Sequence, residues 1–326
     1  MQLMPDFRLH RPASVAEAAA LLAAPAGGKP LGGGTDLLVN LRRGLGEPAS
    51  LLDLQGIAEL AAVTTDAGGV TIGAAVTLER LAEHPAILDG WPAVAAAAAS
   101  IAGPGHRAAA TVGGNLCQDT RCVYYNQSEW WRAGNGYCLK HRGSVCHVVK
   151  KSDRCYAAYA GDFAPVLMVL GAEVEVAGAA GVRRLPVAGL YHEEGRSWLT
   201  LAPGEFLTAV RVPAAAPGSA AGYDKIRIRD AIDFPLAGVA ITLRRDGEIM
   251  ADIGVAVTGV ASAPLLVPGL EALAGQPWSD AAAKVLVQAV RKTCNTVKTT
   301  LTTPRYRRAV AGRAAARLAA RLWAGG

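Results

Sequence analysis

The chain has no stretch of roughly 18 uncharged apolar residues, so no segment is long enough to cross a bilayer as a helix. Its first residues, Met1-Gln2-Leu3-Met4-Pro5-Asp6-Phe7, lack a basic segment followed by an apolar one. A secretory leader is therefore not expected, and a cytoplasmic protein is. Charge is scarce, at 18% of residues against 51% hydrophobic, which excludes a disordered chain. Two nucleotide-binding signatures are missing. Leu31-Gly32-Gly33-Gly34-Thr35-Asp36 is not GxGxxG, because Leu37 takes the third glycine position, and no GxxxxGK[ST] occurs. His10, His84, His106, His141, His147 and His192 are scattered without an HxxxH zinc pair, and no Ser/His/Asp nucleophile set is recognisable. There is no internal repeat.

At 326 residues the chain is too long for one typical core and suggests two or three lobes. The net charge of +6 invites a nucleic-acid reading, so its placement matters more than its size. Lys140, His141, Arg142, Lys150, Lys151 and Arg154 fall among clustered cysteines. Arg291, Lys292, Lys298, Arg305, Arg307, Arg308, Arg313, Arg317 and Arg321 run along the C-terminal segment and read as a solvated helix face. The first set is suited to attract an acidic protein, such as a small electron carrier, by electrostatic steering.

Local patterns divide the chain into segments 1–56, 57–215 and 216–326. Ser14 to Ala24 reads as a helix opened by a capping box, followed by a glycine loop and a short buried strand at Leu51-Leu52-Asp53-Leu54. Val70-Thr71-Ile72-Gly73-Ala74 and Ala172-Glu173-Val174-Glu175-Val176 read as strands, and Trp91 to Ile101 as a helix. Beyond the Pro/Gly/Ala-rich stretch Pro213 to Gly222, a strand is expected around Ile253 to Val260 and a final helix after Ala281. The fold class is α+β.

Residues 119–157 break this composition. They hold Cys122, Cys138, Cys146 and Cys155 together with Tyr124, Tyr125, Trp130, Trp131, Tyr137 and Tyr156. The spacing C-x15-C-x7-C-x8-C matches neither the C-x2-C pairs of zinc ribbons nor the tight run of bacterial ferredoxins. By chemistry alone an iron–sulfur centre, a zinc site and four unligated core cysteines all remain open, and a zinc-stabilised nucleic-acid module would be colourless. Cys117 is better placed to line the Gly113-Gly114-Asn115 turn, and Cys294, alone in a helix, reads as structural. Gly32, Gly33 and Gly34 can bring unshielded backbone N–H groups to a pyrophosphate, with the Thr35 hydroxyl as a further donor.

Leu31-Gly-Gly-Gly-Thr-Asp-Leu-Leu38, Arg107-Ala-Ala-Ala-Thr-Val-Gly-Gly-Asn115 and Gly161-Asp162-Phe-Ala-Pro-Val166 occur in an order that resembles the FAD-binding subunit of the xanthine oxidase family of molybdenum hydroxylases. The resemblance covers nearly the whole chain. It implies a two-lobed FAD-binding domain of the vanillyl-alcohol-oxidase/PCMH type, with a C-terminal α/β domain of the CO-dehydrogenase flavoprotein type. Gly32, Gly33, Gly34, Thr35 and Asp36 would then wrap the FAD pyrophosphate, and Thr111, Gly113, Gly114 and Asn115 would approach the flavin. Asp162 would bond the polyol portion, Tyr223 and Lys225 would close over the isoalloxazine, and Gln118 and Asp119 would also reach it. For Asp162 a plain N-cap and for Lys225 a plain surface position are the competing readings. Glycine at 33, where many relatives carry alanine, should simply relax the backbone.

Cys-Gln-Asp-Thr-Arg-Cys122, Tyr-Asn-Gln-Ser-Glu-Trp-Trp131 and Lys-Ser-Asp-Arg-Cys155 are similar to the insert of the 4-hydroxybenzoyl-CoA reductase branch of this family. That likeness implies an additional [4Fe-4S] cluster held by Cys122, Cys138, Cys146 and Cys155. It further implies partner subunits carrying molybdopterin and [2Fe-2S] clusters, ferredoxin as donor, and a dimer of heterotrimers without nucleic acid or membrane. Electrons would reach molybdenum for dehydroxylation of 4-hydroxybenzoyl-CoA to benzoyl-CoA. A flavoprotein subunit of a carbon monoxide, purine or aldehyde dehydrogenase is the alternative.

Overall fold

The computed structural model describes residues 4–24 and 27–325, so the reading of Met1 to Leu3 lies outside the described residues. Among these residues the strands form three sheets. The first contains β1 (Arg8–His10), β2 (Lys29–Leu31) and β3 (Ser50–Asp53) in the order β1-β3-β2, all parallel. Helix α1 (Val15–Ala23) connects β1 to β2, and α2 (Leu37–Arg42) follows the glycine loop. The expected cap forms at α1, where Ser14 Oγ accepts the Glu17 N–H at 3.2 Å. Glu17 reaches back to the Ala13 N–H at 2.8 Å, one residue beyond the usual box. Ala18 and Leu22, four positions apart on one face, pack with Leu52 and Leu54.

The second sheet runs β4 (Val63–Asp66), β5 (Gly69–Gly73), β8 (Phe206–Pro213), β6 (Glu173–Gly178), β7 (Gly181–Pro186), antiparallel throughout. In β6 the valines 174 and 176 are fully buried while Glu173 faces water, the period-2 pattern expected of a half-buried strand. Between β5 and β6 come α3 (Leu78–Ala82), α4 (Pro85–Gly90), α5 (Pro92–Ser100), α6 (Pro104–Arg107), α7 (Val112–Leu116), α8 (Glu129–Gly134) and α9 (Phe163–Val169). Helix α8 lies inside the cysteine-bearing segment.

The third sheet, β12 (Leu265–Leu266), β11 (Ile249–Thr258), β10 (Ala237–Asp246), β9 (Ser219–Ile226), serves two cores. Val239, Ile241 and Leu243 point to α10 (Asp280–Thr293) and α11 (Pro304–Trp323), whereas Ala240 joins the main core with Phe163 and Leu167. Small side chains on that face let the sheet come close.

Three expectations change here. Regular structure resumes within rather than beyond the stretch Pro213 to Gly222, since β9 already begins at Ser219. The single helix after Ala281 is two helices, broken where α10 ends at its C-cap residue Cys294, which is buried in the core between them. Arg307 leaves the solvated set: it lies on the inward stripe of α11 with Ala311, Ala315, Leu318 and Leu322 and is 1% exposed. Its guanidinium donates to the carbonyls of Leu236, Val297 and Gly259 and to Thr299 Oγ1, and burial pushes its pKa down to about 10. Arg317 and Arg321 pair with Asp224. Among the described residues no helix is long and apolar enough to cross a membrane.

Candidate functional site

The two glycine segments meet edge to edge. A Cβ at Gly32 would stand 2.6 Å from Thr111 Oγ1, and one at Gly33 would strike the Ala109 carbonyl. Glycine at 33 is thus demanded by the approach of the two chains, which corrects the expectation that it only relaxes the backbone. Gly34, at φ +72°, turns the chain from β2 into α2, with Thr35 half-buried beside it. Asp36 stands at the N-cap of α2 without a cap bond. Its carboxylate pairs with Arg121 and accepts the Asp119 N–H at 2.8 Å. The Asp36 side chain is therefore committed to the cysteine-bearing segment.

The Thr-Val-Gly-Gly-Asn segment forms the short helix α7. Its N–H groups are spent inside the protein: Val112 donates to Val76 O at 2.9 Å, Gly113 to Ala74 O at 2.8 Å and Asn115 to Thr111 O at 2.9 Å. Gly114 donates to Thr111 Oγ1 at 3.1 Å. The polarity left over lies on side chains. Asn115 Oδ1 and Gln118 Nε2 are buried atoms without a hydrogen-bond partner, one an acceptor and the other a donor. Tyr159 and Tyr191 hold this helix from behind, both hydroxyls donating to Leu116 O and that of Tyr159 also to Asn115 O.

Asp162, Tyr223 and Lys225 come together across α9 and β9. Tyr223 donates to Asp162 Oδ1 at 2.6 Å and Lys225 Nζ to Oδ2 at 2.9 Å, with ion-pair side chains only 4% and 3% exposed. The surface reading of Lys225 is thereby corrected. Asp162 does hold the N-cap position of α9, but makes no cap bond with its side chain. Burial pushes its pKa up, while Lys225 and Tyr223 pull it back. Asp119, expected at the flavin, turns away. Its carboxylate binds Lys140 at 2.7 Å and Tyr125 at 2.9 Å.

Cys122, Cys138, Cys146 and Cys155 are free thiols, each 5 to 9% exposed. Cys122, Cys138 and Cys155 share one apolar cluster with Leu45, Tyr125 and Ala157, whereas Cys117 packs on the main core. Burial pushes Cys122 up to about 12; the N–H groups of Tyr124 and Tyr125 oppose it and the charges of Cys155 and Cys138 reinforce it. Burial likewise pushes Cys155 up to about 11, against the Ala157 N–H and Lys140, with Cys146 and Glu194 adding to the rise. Cys122, Cys138 and Cys155 thus share one dry cluster, and the charge of Cys146 reaches Cys155. Thiols so placed become thiolates when a cationic centre joins them, so the donor set fits a sulfur-ligated metal group.

Buried cations organise this segment. Arg132, 1% exposed, donates to the carbonyls of Gln127, Arg43 and Gly44 and pairs with Glu129 at 2.6 Å. Lys140 is similarly enclosed, with a side chain 4% exposed, and so drops out of the basic docking set. Arg142 pairs with Glu47 and Glu129, and Arg154 pairs with Glu193 and lies over the Tyr156 ring. Lys150 and Lys151 are exposed, as is Arg142 despite its two ion pairs. Sequence reasoning gave Arg121, Arg132, Tyr159 and Tyr191 no roles. Arg132 carries no legible signal, while Tyr159, two residues before Gly161-Asp162, sits beside a motif already singled out.

Two glycine segments in contact, with two unsatisfied buried amides beside one of them, make a site suited to a polar cofactor. Residues 5–215 match the family described as the FAD binding domain in molybdopterin dehydrogenase, and residues 221–322 match the CO dehydrogenase flavoprotein C-terminal domain. The chain belongs to this family and is an FAD-binding flavoprotein subunit of the molybdenum hydroxylase class. It is 33% identical over 282 residues to the aldehyde oxidoreductase FAD-binding subunit PaoB of Escherichia coli (strain K12), covering 84% of this chain and 87% of that one. It is 27% identical to the carbon monoxide dehydrogenase medium chain of Hydrogenophaga pseudoflava, over 98% of each. The solved structure of a Cu,Mo-CO dehydrogenase superposes with a TM-score of 0.81 at 25% identity, covering 99% of this chain and 100% of that one.

Proposed function

We propose that this chain is the FAD- and [4Fe-4S]-carrying electron-transfer subunit of a molybdenum-dependent 4-hydroxybenzoyl-CoA reductase. It would take electrons from ferredoxin and deliver them to partner subunits bearing [2Fe-2S] clusters and molybdopterin, for reductive dehydroxylation to benzoyl-CoA. The observation that carries this reading is that Cys122, Cys138, Cys146 and Cys155 are all free and buried within residues 119–157, three of them in one apolar cluster. A single zinc ion would bring sulfur donors to about 2.3 Å from one point. No group of three or more His, Cys, Asp or Glu side chains is gathered for one ion among the described residues. In a multi-iron cluster each thiolate binds its own iron, so the four need not converge on one point.

When bound, FAD exchanges one or two electrons and so joins one-electron carriers to a two-electron reaction. In this chain Gly32 to Thr35 would receive its pyrophosphate and the buried amides of Asn115 and Gln118 would take up its polar edge. Asp162, oriented by Tyr223 and Lys225, would accept hydroxyl donors. The two lobes, 1–56 and 57–215, would clamp it in the vanillyl-alcohol-oxidase/PCMH manner, with residues 216–326 closing the site. Lys150 and Lys151 would steer ferredoxin, and reversing both charges should weaken the salt dependence of its electron delivery. The assembly would be a cytoplasmic dimer of heterotrimers.

Iron, acid-labile sulfide and flavin content of the purified chain test the cofactor set. An iron-free, yellow chain would favour the alternative, a flavoprotein subunit of the carbon monoxide, xanthine or aldehyde dehydrogenase type, to which the named relatives belong. Viologen-driven dehydroxylation by the whole complex tests the reaction, and oxidative hydroxylation in its place rejects it.

A further inference from the structure

Lys140 is a buried cation that reaches both halves of the site. Its Nζ donates to Asp119 Oδ1 at 2.7 Å, to Thr120 Oγ1 and to Gly195 O at 2.6 Å. It also stands 4.8 Å and 4.6 Å from the ring centroids of Tyr125 and Trp198. An ammonium has three donors, and each has an acceptor here. Towards the cysteines, Gly195 passes the contact on, its N–H donating to Cys155 O at 2.9 Å. Lys140 itself follows Cys138 by two residues. Towards the glycine loop, the Asp119 N–H binds Asp36 Oδ2, and the other Asp36 oxygen pairs with Arg121. Asp36 ends the Gly-Gly-Gly-Thr-Asp loop at the start of α2.

We propose that Lys140 is a positioning residue that raises the midpoint potential of the metal centre held by Cys122, Cys138, Cys146 and Cys155 and ties that centre to the flavin loop; the inference rests on the cysteine reading above. A centre bound by four thiolates is anionic, and each added electron makes it more so. A cation held beside it away from water favours the reduced form, with little screening by salt. The exposed Lys150 and Lys151 lack that enclosure and should act far less.

The test is redox titration, followed by electron paramagnetic resonance, of the iron-loaded full chain with Lys140→Met, Lys140→Arg and Asp119→Asn. Lys140→Met should shift the centre to a more negative potential, Lys140→Arg should restore most of the shift, and Asp119→Asn should move it the opposite way. Equal potentials in the Met variant and the unaltered chain overturn the inference, as do equal shifts in the Met and Arg variants. If the Met variant loses its iron, Asp119→Asn decides, and an unchanged or lowered potential there overturns the inference. An unaltered chain that binds no iron overturns the cysteine reading and the inference with it, whereas iron with unshifted potentials overturns the inference alone.

Discussion

The flavin half and the cysteine half of this molecule are held together by different means. Around Gly32–Thr35, α7 and Asp162, regular strands and helices supply most backbone partners, and side chains add short local bonds such as Thr111 to Gly114. In residues 119–157 only α8 and a few isolated bridges are regular among the described residues. There Arg132 and Lys140 reach backbone carbonyls that no ladder satisfies. A buried carbonyl needs a donor from somewhere, and a long cationic side chain can serve several at once. The cysteine half thus depends on a few residues, the flavin half on many.

Separate damage to the two halves sharpens this contrast. Replacing any one of Cys122, Cys138, Cys146 or Cys155 by serine should abolish iron binding while flavin content stays near that of the unaltered chain; equal loss of both would erase the distinction. Asp162→Ala leaves the Lys225 ammonium buried and unpaired, so flavin is lost and stability in urea falls by about 3–5 kcal/mol, with iron retained. Arg132→Met strips several carbonyls of their donor and should cost about 3 kcal/mol, read as faster hydrogen exchange in 119–157 than in β6. Gly33→Ala forces apart the loops at Ala109 and should cost about 1–3 kcal/mol together with weaker flavin retention.

The smallest effect concerns pH. Burial favours the acid form of Asp233, yet the Arg229 guanidinium and the N–H groups of Arg229 and Ile228 outweigh it and hold its pKa below the usual carboxylate range. A depressed carboxylate stabilises the fold above its unfolded pKa, and that contribution disappears as pH falls through the folded one. Exchange of amides 228–233 should therefore quicken only in acid, and an Asp233→Asn chain should show no such step.

Periodicity made much of the fold legible. The cap at Ser14, the alternation in β6 and the alanine-rich α5 each follow from local rules. So did the grouping of Asp162 with Tyr223 and Lys225, although they lie 61 and 63 residues apart, because the family resemblance linked the motifs. Buried charge was illegible. Arg307 and Lys140 look like surface residues in any local window, since what covers them comes from distant parts of the chain: Leu236 and Gly259 for one, Gly195 and Trp198 for the other. The expected Gly113-Gly114-Asn115 turn is instead part of helix α7, because Thr111 and the carbonyls of Ala74 and Val76 settle its first turn despite two glycines.

That first turn has a consequence for selectivity among anions. A helix start normally attracts any passing sulfate, phosphate or carboxylate, because its N–H groups have nothing else to bind. Here Thr111, Val76 and Ala74 have already taken them, so this helix start offers no free N–H to small anions from solution. On the proposed reading, a dinucleotide would be recognised by its diphosphate at Gly32 to Thr35 and by its ring at the other segment. A ligand carrying only one of these parts would gain only part of the grip.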